Sequence, residues 1–127
     1  MIRLSLFALT TGLVAGLGSW RYGIVFSDAY LVDYSEVVPT LAIFFSSLIG
    51  TVLATLGYAG LTKFLPNWGE FIFGLLFAFL SIASIVGVFG ATLPLSLSSD
   101  LFLGYAIPMH FFPFLVWYAL KPLFIRK

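Results

Sequence analysis

The stretch EFIFGLLFAFLSIASIVGVFGATL, Glu70 to Leu93, decides the fold. After Glu70 it carries no charge and no proline, and its only hydroxyls are Ser81, Ser84 and Thr92. A hydrocarbon core about 30 Å thick is crossed by about 20 apolar residues in helical form. A lipid-facing barrel strand would alternate apolar and polar residues over about ten positions. The run is unbroken and twice that length, so it reads as a membrane-spanning helix.

Working outward, three more stretches have the same character. Counting the first one, the spans lie at about 4–26, 37–62, 70–93 and 101–124 of one membrane domain, residues 1–127. The fold class is all-α, a four-helix transmembrane bundle. Composition agrees: 61% of residues are hydrophobic and 9% are charged, with a mean hydropathy of +1.13. Water-soluble domains carry about 25% charged residues, so lipid must clothe most of this surface.

The polar residues punctuate the spans. Asn67, with Glu70 three positions on, reads as a capping box for the third helix, and Asp100 as the cap of the fourth. Asp33-Tyr34-Ser35-Glu36 reads as a cap for the second, which starts between Asp33 and Val38, although Pro39 then falls just past the first turn. Met1-Ile2-Arg3 resembles the head of a signal peptide. The apolar run behind it is too long for one, and no small-residue cleavage site follows, so the first helix is expected to be retained.

Charge sets the expected orientation. With alternating helices, Arg3, Lys63, Lys121, Arg126 and Lys127 share one side and Arg21 stands alone on the other, beside Asp28, Asp33, Glu36 and Asp100. By the positive-inside rule both termini face the cytoplasm, in a bacterial inner membrane. Trp20, Trp68 and Trp117 lie near span boundaries, where indoles anchor at the interface. The segment from Arg21 to Glu36 reads as a solvated loop with anchored aromatics.

Inside lipid, helices meet where small residues four apart let backbones approach. Ala8, Gly12 and Gly16 form such a line on the first helix, Ser46, Gly50 and Ala54 on the second, and Ala83, Gly87 and Ala91 on the third. They are expected to pack the bundle internally; a dimer seam is the other reading. The fourth helix contains Pro108 and Pro113, which strip the carbonyls of Gly104 and Met109 of their amide partners. Kinks are expected there, and the freed carbonyls must find partners inside the protein.

His110, the only histidine, stands between those prolines. An ionisable residue within a span is a functional candidate by default, and a neutral imidazole offers one donor and one acceptor. The bland reading is a structural hydrogen bond between helices, with Thr51, Thr55, Ser81, Ser84 and the carbonyls freed by the prolines as candidate partners; the sharper ones are a pigment, porphyrin or quinone held at His110, or gating or proton handling. Haem between two histidines would need a second copy. None of the five acids falls inside a span, which argues against a proton relay and against multidrug transport through an intramembrane carboxylate.

Cysteine is absent, which excludes disulfides, thiolate metal sites and thiol redox chemistry. Hydrolase, kinase and phosphate-loop motifs are missing, a net charge of +1 gives no nucleic-acid signature, and nothing calls for a cofactor. The expectation is a protein that is not an enzyme. Its partners are the lipid bilayer and either other membrane subunits or further copies of itself.

From Asp33 onward the chain resembles an uncharacterised family of small bacterial four-helix integral membrane proteins with a Met-His motif in the last helix. The resemblance rests on Pro39, the Lys63-to-Phe71 hinge, Ser81, Leu93-Pro94 and Met109-His110. It implies a four-span bundle and supplies no catalytic residue. Pro108 before the motif and the bulky Phe111 and Phe112 after it depart from the pattern, so the surroundings of His110 are expected to differ. Two functions remain open: an accessory or scaffold subunit of a membrane assembly, or a small binding or transport module for an apolar ligand, pigment or solute near His110.

Overall fold

The computed structural model describes residues 2–125; the chain's last two basic residues, counted above for orientation, lie outside that range. Five helical elements follow one another: α1 (Ile2–Tyr30), α2 (Thr40–Phe64), α3 (Gly69–Ser84), the short α4 (Val86–Phe89) and α5 (Ser99–Phe124). Among the described residues there is no strand. With α3 and α4 counted as one stretch, four helices are long and apolar enough to cross a membrane. Leu41, Phe79, Val86 and Leu123 point outward and are more than two-thirds exposed, a surface suited to hydrocarbon as solvent.

Each helix boundary has a local cause, and several differ from the sequence reading. The residue before a proline avoids the α region, so α2 starts only after Pro39, at Thr40. Asp33 does not cap it: its carboxylate accepts the Ser35 amide at 2.8 Å, closing a turn of its own, and that bond holds the carboxyl below its ordinary range. Asn67 does not cap α3 either. The amides of Trp68 and Gly69 bond to the Leu65 carbonyl, and the Glu70 carboxylate pairs with Lys121 on α5. For α5 the cap is Ser98, which accepts the Leu101 amide, and Asp100 lies in the first turn, where a carboxylate favours the helix dipole.

The third span ends early. Regular helix stops at Ser84 and, after Ile85, a single turn reaches Phe89 rather than Leu93. The Ser84 hydroxyl donates to the Ser81 carbonyl at 2.7 Å, the kind of side-chain competition that bends a helix. In contrast, α5 remains one helix through Pro108, Pro113 and Pro122. Tyr22 on α1 donates to the Gly104 carbonyl at 2.7 Å, supplying the partner that Pro108 removed.

Two cores hold the bundle, one at each end. At the end where α1 begins and α5 finishes, Phe7, Ala54, Tyr58, Phe73 and Trp117 form a buried cluster. Trp117 is fully buried rather than interfacial, and its indole N–H donates to Thr55 on α2 at 3.1 Å. Its placement follows from that bond, since a buried indole needs an acceptor. At the opposite, loop end, Tyr34, Val88, Phe102, Tyr105 and Ala106 form the second cluster. Here α1 runs on to Tyr30, and Tyr34, in the segment read as a solvated loop, is buried with its hydroxyl on the Ser98 carbonyl at 2.7 Å.

Of the three small-residue lines, the first sits in a helix contact. Ala8, Gly12 and Gly16 are buried, and a Cβ on Gly12 would come within 2.9 Å of the Leu48 backbone. On α2 the contacting hydroxyl is Thr51, one position from the expected line, within 3.1 Å of the Ala8 carbonyl. The other two lines do not close a seam. Nothing lies within 4 Å of a Cβ built on Gly50 or Gly87, Ala83 is exposed, and Ala91 falls beyond the helix.

Candidate functional site: a cleft between α2, α3 and α5

The space beside Gly50 and Gly87 is part of a half-open cleft of about 840 Å³. One wall is a single stripe of α2, through Ile43, Ser46, Ser47, Gly50, Ala54, Gly57 and Leu61. The other wall is a matching stripe of α3 and α4, through Phe73, Phe77, Leu80, Ser81, Ser84, Gly87 and Val88. Phe102, Ala106, Met109, His110 and Pro113 of α5 and Ser19 of α1 also belong to the lining. Ile43 to Leu61 is 18 helical steps, or about 27 Å at 1.5 Å per residue, close to the hydrocarbon thickness.

The amino-acid pattern explains why the cleft stays open. Aromatic rings clamp α3 to the bundle at Phe73 and Phe77, which meet Trp117 and Phe114 with centroids 4.8 and 5.1 Å apart. The Glu70–Lys121 ion pair fastens the same end. Above that clamp α2 and α3 present serine, glycine and alanine to each other, too small to fill the gap between the helices. Ser46, Gly50, Gly87 and Ala91, marked in the sequence as packing residues, thus line a void instead of a contact, while Ala54 at the cleft's edge packs into the Phe7–Trp117 core. Small residues permit close approach without compelling it.

His110 is half-buried on the cleft's α5 side. Its Nδ1 lies 2.8 Å from the Ala106 carbonyl of its own helix. A carbonyl only accepts, so Nδ1 carries the proton and, in the neutral ring, Nε2 holds the lone pair. The bond expected to another helix is therefore not the one formed. Thr51 and Thr55 are committed elsewhere, to the α1 contact and to Trp117.

Two further hydroxyls share His110's level. Phe77 and Phe114 touch, and one turn along each helix from that contact stand Ser81 and His110. On α1 the ring of Phe112 lies against Gly18, next to Ser19. Ser19 is 1% exposed, and its hydroxyl has no hydrogen-bond partner. Ser47, 4% exposed, belongs to the same lining. Neither Ser19 nor Ser47 was marked by the sequence; a serine within an apolar span carries no signal of which way it faces. Lysine and arginine are absent from the described lining, and among the described residues no group of His, Asp and Glu can hold a metal ion.

An apolar groove with a polar band at mid-depth can sequester an amphiphile or hydrocarbon chain. Searches of family models, curated proteins and solved structures return no match to this chain.

Proposed function

We propose that this protein is a non-catalytic, multi-pass membrane protein that binds an elongated apolar molecule in the cleft between α2, α3 and α5, beside His110. The observation that carries this reading is the void itself. It runs for about the depth of the hydrocarbon core, and glycines with nothing in front of them line both walls. Buried apolar cavities of about 300–1,000 Å³ with a few convergent polar groups are the usual form of a small-molecule site.

The groove's other natural occupant is a helix of an accessory-type partner, the function that the sequence put first. A helix with side chains is at least about 10 Å across, so it would lie over the groove's open side. A single acyl or isoprenoid chain is slimmer. The lysine and arginine count supports an orientation with the termini, and the Phe7–Trp117 core with them, at the cytoplasmic face of a bacterial inner membrane.

Gentle extraction followed by mass spectrometry of everything retained tests the reading, with Gly50→Leu and Gly87→Leu as controls. Both leucines enter open space and raise helix propensity by up to about 1 kcal/mol, so the variants fold while the cleft closes. A small apolar molecule retained by the wild type and lost from both variants is the expected result. Stoichiometric capture of another membrane subunit, unchanged by the plugs and by His110→Ala, would favour the accessory-subunit reading instead.

A further inference from the structure

Resting on that reading, we infer that the ligand carries a neutral hydroxyl, held at mid-depth between His110 Nε2 and the Ser19 hydroxyl.

Two independent features specify this chemistry. The Ala106 carbonyl accepts from Nδ1 of His110, so in the neutral ring Nε2 is the acceptor left over on a residue that lines the cleft, and it calls for a donor. Ser19, 1% exposed and without a partner, has a proton that calls for an acceptor. A buried hydroxyl left unpaired costs about 1–3 kcal/mol, and hydrocarbon offers no water to relieve it. Of the other serines of the lining, Ser46 donates to the Ile43 carbonyl and Ser84 to the Ser81 carbonyl. A hydroxyl is the smallest group that both donates and accepts. An anionic head is disfavoured, because no lysine or arginine belongs to the described lining and an unpaired charge at this depth is costly.

The test uses the full chain in lipid nanodiscs and three probes of one chain length: hexadecanol, its methyl ether and hexadecane. Retention is read by native mass spectrometry, and the His110 side-chain nitrogens are followed by NMR. Hexadecanol is expected to be held about fivefold more tightly than the ether, which cannot donate, and than the hydrocarbon. It alone should move the Nε2 resonance. Ser19→Ala should erase most of the alcohol's advantage over hexadecane and leave hexadecane binding unchanged. Equal retention of all three probes, or an unmoved Nε2, overturns the hydroxyl inference while the cleft remains a binding site. Retention of none of them overturns the binding reading and the hydroxyl with it.

Discussion

Tyr22 and Gly104 are joined by a hydrogen bond of 2.7 Å across the α1–α5 contact, at the carbonyl from which Pro108 has taken the amide. An irregularity in one helix is thus matched by a side chain from its neighbour, and the proline site becomes a fixed point between helices. Tyr22→Phe is expected to destabilise the bundle by about 1 kcal/mol, the scale of interhelical bonds in membranes. Pro108→Ala restores an amide, so the same tyrosine change made on that background should cost less. Reversible unfolding in mixed micelles, run as a double-mutant cycle, measures the coupling.

Gly12 and Gly50 look alike in sequence and are opposites in the structure. A Cβ on Gly12 meets Thr51 at 2.7 Å and the Leu48 backbone at 2.9 Å, whereas one on Gly50 meets nothing within 4 Å. Gly12→Leu should therefore cost about 1–3 kcal/mol through overpacking, while Gly50→Leu leaves unfolding unchanged or slightly harder. The same unfolding assay distinguishes them, and equal effects would contradict the packing described.

Trp117 gathers the rings of Phe7, Tyr58 and Phe73 around it within 5.3 Å and bonds to Thr55. Trp117→Ala is expected to cost about 3–5 kcal/mol, as for other large buried aromatics. Indole fluorescence offers an independent check. Trp117 should resist quenching by brominated lipids more than Trp68, which is 66% exposed.

The spans could be read from sequence because bilayer thickness imposes one length on every helix, and residues 70–93 meet it without interruption. Their ends could not. Whether Asn67 or Trp68 precedes α3 depends on the close approach of α2, where a Cβ on Gly69 would lie 2.3 Å from the Leu61 carbonyl oxygen. His110 announced itself as the one ionisable group in mid-span. Ser19 did not, because its significance lies in a missing partner, which only packed neighbours reveal. The small-residue lines on α2 and α3 misled for a related reason: serine and glycine make a tight seam when helices converge and a cavity when aromatic clamps hold them apart.

The Asp33–Ser35 turn supplies a pH dependence. The folded-state carboxyl is shifted down by the Ser35 amide, so its contribution is present above the ordinary carboxylate range. It is lost as pH falls through the lowered folded value. Protection of the Ser35 amide from hydrogen exchange should therefore drop only in strong acid, after intrinsic exchange rates are corrected for pH, and Asp33→Ala should remove it at every pH. Asp33 is surface-exposed, so global unfolding is expected to change little.

Photolabelling in native-like bilayers tests the cleft most directly. A long-chain alcohol bearing a diazirine close to its hydroxyl is expected to attach to Leu53, Leu80 and Met109, which line the groove. Excess unlabelled alcohol should abolish those adducts, as should Gly50→Leu. Adducts spread over outward residues such as Leu13, Leu41 and Phe79, indifferent to competitor and to the plug, would mean that the groove holds nothing of its own.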